Sequence, residues 1–204
     1  MGSSSSSRDF AGPSGVLPLI HPLDDFYLHA GLPLPAVEMV SAEEVPEPER
    51  SLLVHANDMT STLIAFHGRR IHLEVLRRET RGAFYLREVA LLLDEVNTAV
   101  EFGAIKIELT ALPGAARRAI LEEALPLGQV LKDFSVAFVS RPKAFLRMTS
   151  DAFINQALRL PGPTVLYGRR NTLSIRDHGA FAEIVEILPP TQRPAVVLSI
   201  PPNS

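Results

Sequence analysis

The sequence predicts an α+β domain: an antiparallel sheet of about six strands, with helices packed on one face. Three observations predict it. Short segments of alternating polarity follow one another with turn residues between them, the pattern of half-buried strands. Helical stretches intervene in only two places, so the regular strand–helix alternation of a doubly wound parallel sheet is absent. No G-x-G-x-x-G or Walker loop opens any of those helices.

Three regions follow one another. Residues 1–50 form an acidic arm in which Ser3–Ser7 is a serine run expected to be disordered, and Pro13, Pro18, Pro22, Pro33, Pro35, Pro46 and Pro48 forbid long helices. Asp24, Asp25, Glu43, Glu44, Glu47 and Glu49 make the arm acidic, and Phe26, Tyr27 and Leu28 are the residues by which it would pack on the domain. Residues 51–190 are expected to fold as the domain proper, and 191–204 to form a loose, proline-rich tail.

Within the domain, Asn57-Asp58 places a capping residue ahead of Met59, Leu63, Ile64 and Phe66, and Gly68 stops that short helix. Arg69–Arg78 alternates Ile71, Leu73 and Val75 with polar partners, a first strand; Phe84–Leu93 is a second. Glu101–Leu109 is a third, with Gly103, Ile105, Ile107 and Leu109 on one face and Ala104, Lys106 and Glu108 on the other. Pro113 opens a helix over Ala115–Leu125 whose stripe is Ile120, Leu121 and Ala124, and a shorter helix follows Pro126. Phe134–Ser140 reads as a fourth strand, Ala144–Met148 as a fifth and Asp151–Leu160 as a helix. Val165–Arg176 and Ala180–Leu188, joined at Asp177-His178-Gly179, read as a closing hairpin.

Composition excludes several functions. No apolar run reaches the roughly 18 residues of a membrane helix, and no basic segment precedes an apolar one as in a signal peptide. Cysteine is absent, which removes disulfides and thiolate metal sites and fits a reducing, cytoplasmic setting. The formal net charge of -3 argues against a nucleic-acid surface, whose affinity rests on basic residues neutralising phosphates. The expected partner is a small molecule, without nucleic acid or membrane, and the expected state is a monomer or small homo-oligomer.

Chemistry has few candidates. His21, His29, His55, His67, His72 and His178 never take the i, i+4 spacing beside a Glu that zinc hydrolases use, and no nucleophile motif is present. No metal and no cofactor is expected. Polar groups inside apolar strands stand out instead. Arg87 lies in Phe84-Tyr85-Leu86-Arg87-Glu88-Val89-Ala90-Leu91-Leu92-Leu93. A guanidinium keeps its charge, so a buried one needs an anion, and its planar fork suits a ligand carboxylate. The alternatives are a structural pair with Glu88 or an edge arginine in solvent. Glu183 and Glu186 lie on opposite faces of the last strand, so one of them points inward or both stay on solvated edges. A buried carboxyl would exchange protons near neutrality. Pro126-Leu127-Gly128 begins a helix, where free backbone N–H groups attract anions. Met59 is either core or ligand contact. Tyr167-Gly168-Arg169-Arg170-Asn171 sets two arginines inside one strand.

Taken in order, Leu86-Arg87-Glu88-Val89, Pro126-Leu127-Gly128, Leu166-Tyr167-Gly168-Arg169-Arg170-Asn171-Thr172-Leu173 and Glu186 before the final prolines resemble bacterial chorismate pyruvate-lyase and the wider chorismate-lyase-like group. The resemblance runs from about Ser51 to Pro190, the Gly-Arg-Arg strand being its most specific part. It implies a lyase cleaving chorismate to 4-hydroxybenzoate and pyruvate in an enclosed site, without cofactor or metal. Carried over by position, Arg87 binds the ring carboxylate with the Leu127 backbone, Glu186 meets the ring hydroxyl, and Met59 lies against the ring. Arg87 and Glu186 are then the catalytic pair, with Arg169 a further substrate contact. This sequence departs from the family in two places. Tyr167 stands where the lyase has Trp, and Gly103-Ala104-Ile105 where it has Gly-Arg-Thr; Lys106, on the Ala104 strand face, is a candidate replacement for that charge. The resemblance also implies alternatives. The same fold serves as the effector domain of certain transcription regulators, so a non-catalytic sensor for an aromatic carboxylate, or a related lyase acting on a different cyclic acid, is open.

Overall fold

The computed structural model describes residues 18–191. The serine run, Pro13 and the tail from residue 192 onward lie outside the described residues. Seven strands form one antiparallel sheet: β1 (Val37–Val40), β2 (Ile71–Arg81), β3 (Phe84–Leu93), β4 (Ala99–Glu108), β5 (Val139–Thr149), β6 (Val165–Ile175) and β7 (Gly179–Leu188). Their order is β1-β5-β6-β7-β4-β3-β2. The helices are α1 (Leu23–His29), α2 (Glu49–Leu53), α3 (Met59–His67), α4 (Gly114–Leu121), α5 (Leu127–Asp133) and α6 (Ala152–Leu158). The class is α+β, as the alternating segments predict. The seventh strand comes from the arm, where β1 pairs with β5, Val40 opposite Phe145.

Local sequence sets the element ends. The Asp58 side chain accepts from the Ser61 N–H at 2.8 Å, capping α3, and Gly68 closes that helix at φ 63°. Asp151 caps α6 in the same way, accepting from Ile154 N–H at 2.9 Å. Gly82 at φ 59° turns β2 into β3, a left-handed position that favours glycine.

Successive strand residues point to opposite faces, and the two faces are covered differently. One carries α2 to α5 in two separate clusters. Ile107, Ile120, Val130 and Leu131 gather around α4 and α5, whereas Leu53, Met59, Leu63 and Leu91 gather around α2 and α3. This is the helix layer the sequence leads one to expect. The opposite face carries α1 and α6, packed over Leu86, Phe102, Val185 and Ile187 through Phe26, Phe153 and Ile154. Each of those helices has 7 residues, barely two turns, which leaves too little period to reveal a buried stripe. The Tyr27 hydroxyl donates to Asp151 at 2.9 Å and so ties α1 to the start of α6.

Two boundaries differ from the sequence expectation. The segment read as a strand from Phe134 and a second strand from Ala144 form a single strand, β5, beginning at Val139. Phe134 instead ends α5, and Ser135 takes the left-handed conformation at φ 53°. Pro142, which has no N–H to give a ladder, is absorbed by a register shift between Pro142 and Ala144. The helix after Pro113 stops at Leu121 rather than Leu125 because Glu123 turns left-handed at φ 57°. Its carboxylate there receives hydrogen bonds from Tyr85 and Arg78.

Candidate functional site

The two clusters on the α2–α5 face do not meet. Between them is a cavity of about 70 Å³, which has room for several waters or a small organic molecule. Its floor is the sheet: Arg87, Val89 and Leu91 from β3, Glu101, Gly103 and Ile105 from β4, Ile184 and Glu186 from β7, Arg169, Asn171 and Leu173 from β6. Its roof is the start of α3, Asp58 to Thr60, and the start of α5, Pro126 to Gly128. Asp58, Phe138 and Ser140 also line an adjoining open groove with Asn57, Ser61 and Thr62, which marks the mouth.

Arg87 stands at one end. It is 1% exposed, yet among the described residues its only hydrogen bond is a long one, 3.5 Å from Nη2 to the Leu125 carbonyl. Nε and Nη1 have no partner. Burial pulls its pKa below the ordinary arginine value, with Tyr85 and Glu123 opposing. Glu88 is not its partner, because neighbouring strand residues face opposite ways. Glu88 instead receives Arg77 Nη1 on the other face, at 3.0 and 2.9 Å. Thus Arg87 is a buried cation whose counter-charge is not supplied by a contacting carboxylate. Met59 (4% exposed) and Leu127 (7% exposed) close over the apolar middle.

The other end is a three-residue ionic group. Glu186 sits opposite Gly103 on one side and Arg169 on the other. Arg169 Nε donates to the Glu186 carboxylate, both side chains being fully or almost fully buried. The rest of the Arg169 fork is spent on the loop between α2 and α3. Nη1 donates to the carbonyls of Leu53 (3.2 Å) and His55 (2.9 Å), and Nη2 to that of Asn57 (3.3 Å). The loop is fixed further by the His55 ring. Its Nε2 lies 2.6 Å from the Leu52 carbonyl, while Nδ1 accepts from Asn57 N–H at 3.2 Å. Burial and the nearby Arg169 charge hold the His55 pKa down, which favours this neutral form. Arg169 therefore lines the cavity but is satisfied by the protein.

Glu101 is the third member, and sequence reasoning missed it. Its Oε2 is buried without a hydrogen-bond partner. Burial, then repulsion from Glu186, push its pKa well above the ordinary carboxylate range against the pull of Arg169. The signal was present: Glu101 shares the strand face already assigned to Gly103 and Ile105. In register, Arg87 is opposite Ile105 and Glu101 is opposite Leu91, four residues further along. At ~3.3 Å per residue the two ends are about 13 Å apart along the strands. Gly103, between them, permits close strand approach, since a Cβ there would fall 2.0 Å from the Val185 carbonyl oxygen.

The structure brings Arg87, Glu186, Met59, Leu127 and Arg169 together around one cavity. It does not bring Lys106 there. Lys106 points to the α1/α6 face, its ammonium 4.8 Å from the centre of the Phe84 ring, so it cannot replace a charge in the cavity. Glu183 is also on that far face, accepting from Thr172 Oγ1 at 3.1 Å. Among the described residues His21, Asp24 and Asp25 form a group of potential metal ligands, but it lies on the arm. Within it His21 Nδ1 lies 2.9 Å from Asp24 Oδ1, and Asp25 accepts from Arg81 at 2.7 Å. No helix among the described residues is long and apolar enough to cross a membrane.

No family model matches this chain, and no curated protein does. Solved structures do. The effector domain of PhnF from Mycobacterium smegmatis is 15% identical with a TM-score of 0.51, the match covering 67% of this chain and 90% of that one. PhnF from the same organism is 13% identical with a TM-score of 0.50, covering 84% of this chain and 94% of that one. The possible transcriptional regulator YydK from Bacillus subtilis is 9% identical with a TM-score of 0.49, covering 89% and 97%. At these identities the likeness is one of fold.

The expectation of a chorismate lyase is corrected by this finding. The structures that share the fold at a TM-score of 0.50 or better include PhnF and its effector domain, and neither is named as a lyase. The catalytic roles expected of Arg87 and Glu186 go with it; the Glu186 carboxylate is paired with Arg169. The expectation that no nucleic acid is involved is corrected too. The fold is shared with the effector domain of PhnF, so the acidic balance of this chain does not exclude that partner.

Proposed function

We propose that this domain is a non-catalytic binding module that takes a small organic anion, in the first instance an aromatic carboxylate, into the cavity between α3, α5 and the sheet. One observation carries the reading: Arg87 is buried at the cavity end with Nε and Nη1 lacking hydrogen-bond partners. A guanidinium is expensive to desolvate, and a bidentate carboxylate supplies the missing charge and acceptors together. Leu127 and Gly128, at the start of α5, line the same cavity. The flat apolar middle, walled by Met59, Val89, Leu91 and Ile105, suits a ring. As an effector site, occupancy would couple to the roof segments at the starts of α3 and α5.

The test is calorimetric titration of the purified protein with benzoate, 4-hydroxybenzoate and inorganic phosphate, repeated on Arg87→Met. Saturable binding of the aromatic acids that Arg87→Met abolishes supports the reading. Binding unchanged in the variant, or no binding of either acid at millimolar concentration, overturns it.

A further inference from the structure

We propose that Glu101 is a ligand-reading residue, presenting a carboxylic acid O–H to an uncharged oxygen acceptor at the end of the ligand remote from Arg87. The inference rests on the binding reading above and deepens it by naming the chemistry of the ligand's second end.

Three observations carry it. Glu101 lines the cavity with one carboxyl oxygen buried and unpartnered. The neighbouring cation is already committed, because Arg169 holds Glu186 and three backbone carbonyls of the α2–α3 loop. Two carboxyl groups thus face one shared arginine in a buried site, and the pair cannot ionise together cheaply. Glu186 has the direct contact with Arg169, and Glu101, which has none, keeps its proton, consistent with the upward shift of its pKa. A protonated carboxyl is a donor, so its unmet need is an acceptor. The ligand class that satisfies both ends carries an anion at Arg87 and a neutral carbonyl, ether or hydroxyl oxygen at the far side. A second anion there would meet Glu186, and an ammonium would require Glu101 to ionise.

The experiment uses benzoate, 4-formylbenzoate, whose far oxygen can only accept, and 4-(aminomethyl)benzoate, titrated into wild type, Glu101→Gln and Glu101→Leu. The expected result is that the formyl compound binds wild type roughly tenfold more tightly than benzoate, the value of about one net hydrogen bond. Glu101→Gln, which still donates, retains that preference, and Glu101→Leu brings the ratio to about one. Tighter binding of the aminomethyl compound with release of a proton overturns the inference. So does benzoate binding that depends on Arg87 but shows no preference for the formyl group, and in that case the anion reading survives. If no probe binds, both fall. A ligand-free measurement stands beside these: the infrared difference spectrum of wild type minus Glu101→Gln at neutral pH contains the carbonyl stretch of a protonated carboxyl. Its absence overturns the inference whatever the probes do.

Discussion

Replacing Arg87 by Met separates a binding residue from a structural one, because the two roles predict opposite signs in stability. Met keeps an aliphatic stem on the strand face shared with Tyr85 and Val89 and removes only the charged head. In the ligand-free protein that head leaves Nε and Nη1 without partners and has one weak 3.5 Å bond to Leu125. A buried unsatisfied donor costs about 1–3 kcal/mol. The head faces a cavity that admits water, so the low end applies, and two such donors amount to ~2 kcal/mol. At roughly 2–4 °C per kcal/mol for a domain of this size, Arg87→Met melts about 4–8 °C above wild type. Affinity moves the other way. Removing one partner of a buried charge pair costs about 2–5 kcal/mol, at least a thirtyfold weakening for an aromatic carboxylate. Scanning calorimetry on both ligand-free proteins and isothermal titration with 4-hydroxybenzoate read the two effects. A variant that melts several degrees lower while binding as wild type does would refute the reasoning, since Arg87 would then be a scaffold residue.

Three further outcomes follow from the far end of the cavity. Arg169→Met leaves Glu186 and Glu101 without their cation and frees the carbonyls of residues 53–57, so it destabilises by about 3–5 kcal/mol, seen as a lowered melting temperature and faster hydrogen exchange in that loop. Glu101→Gln removes a proton linkage. Because the folded-state pKa of Glu101 is raised above its ordinary value of 4.5, its contribution is fully present below that value and is lost as pH rises toward the folded pKa. Wild-type stability therefore declines relative to Glu101→Gln as pH rises above about 4.5, in paired denaturant titrations, and a constant difference across pH would remove the shift. Gly103→Ala puts a methyl against the Val185 carbonyl and forces β4 from β7; a loss of about 2–3 kcal/mol is expected, within the usual cost of overpacking, and an unchanged urea midpoint would contradict the close approach.

What could be read from the chain alone follows the length of each signal. The hairpin β6–β7 and the strands β2 to β4 run 10 or 11 residues each, long enough for alternation to declare itself, and their edges fall within three residues of the expected positions. Helix α3 was legible from Asp58 and Gly68 because a cap and a stop are single-residue chemistry. By contrast α1 and α6 bury a face through tertiary contact alone, and β5 hides its continuity behind Pro142.

The candidate site divides along the same line. Arg87 and Glu186 stood out as charges in apolar strands, and Met59 and Leu127 came through the resemblance; all four meet at the cavity. Lys106 did not, because the period that put it beside Ala104 also turned it away from Ile105 and hence from Arg87. The same parity argument, applied one turn of the pleat earlier, selects Glu101. An acid at the start of a strand resembles a solvated edge, and only the roof contributed by α3 and α5 buries that position. A strand's period tells which residues share a face; whether that face is wet depends on segments far away in sequence. Here the deciding segment is the loop that Arg169 holds in place, so the character of Glu101 as an acid is set by an arginine 68 residues further along the chain.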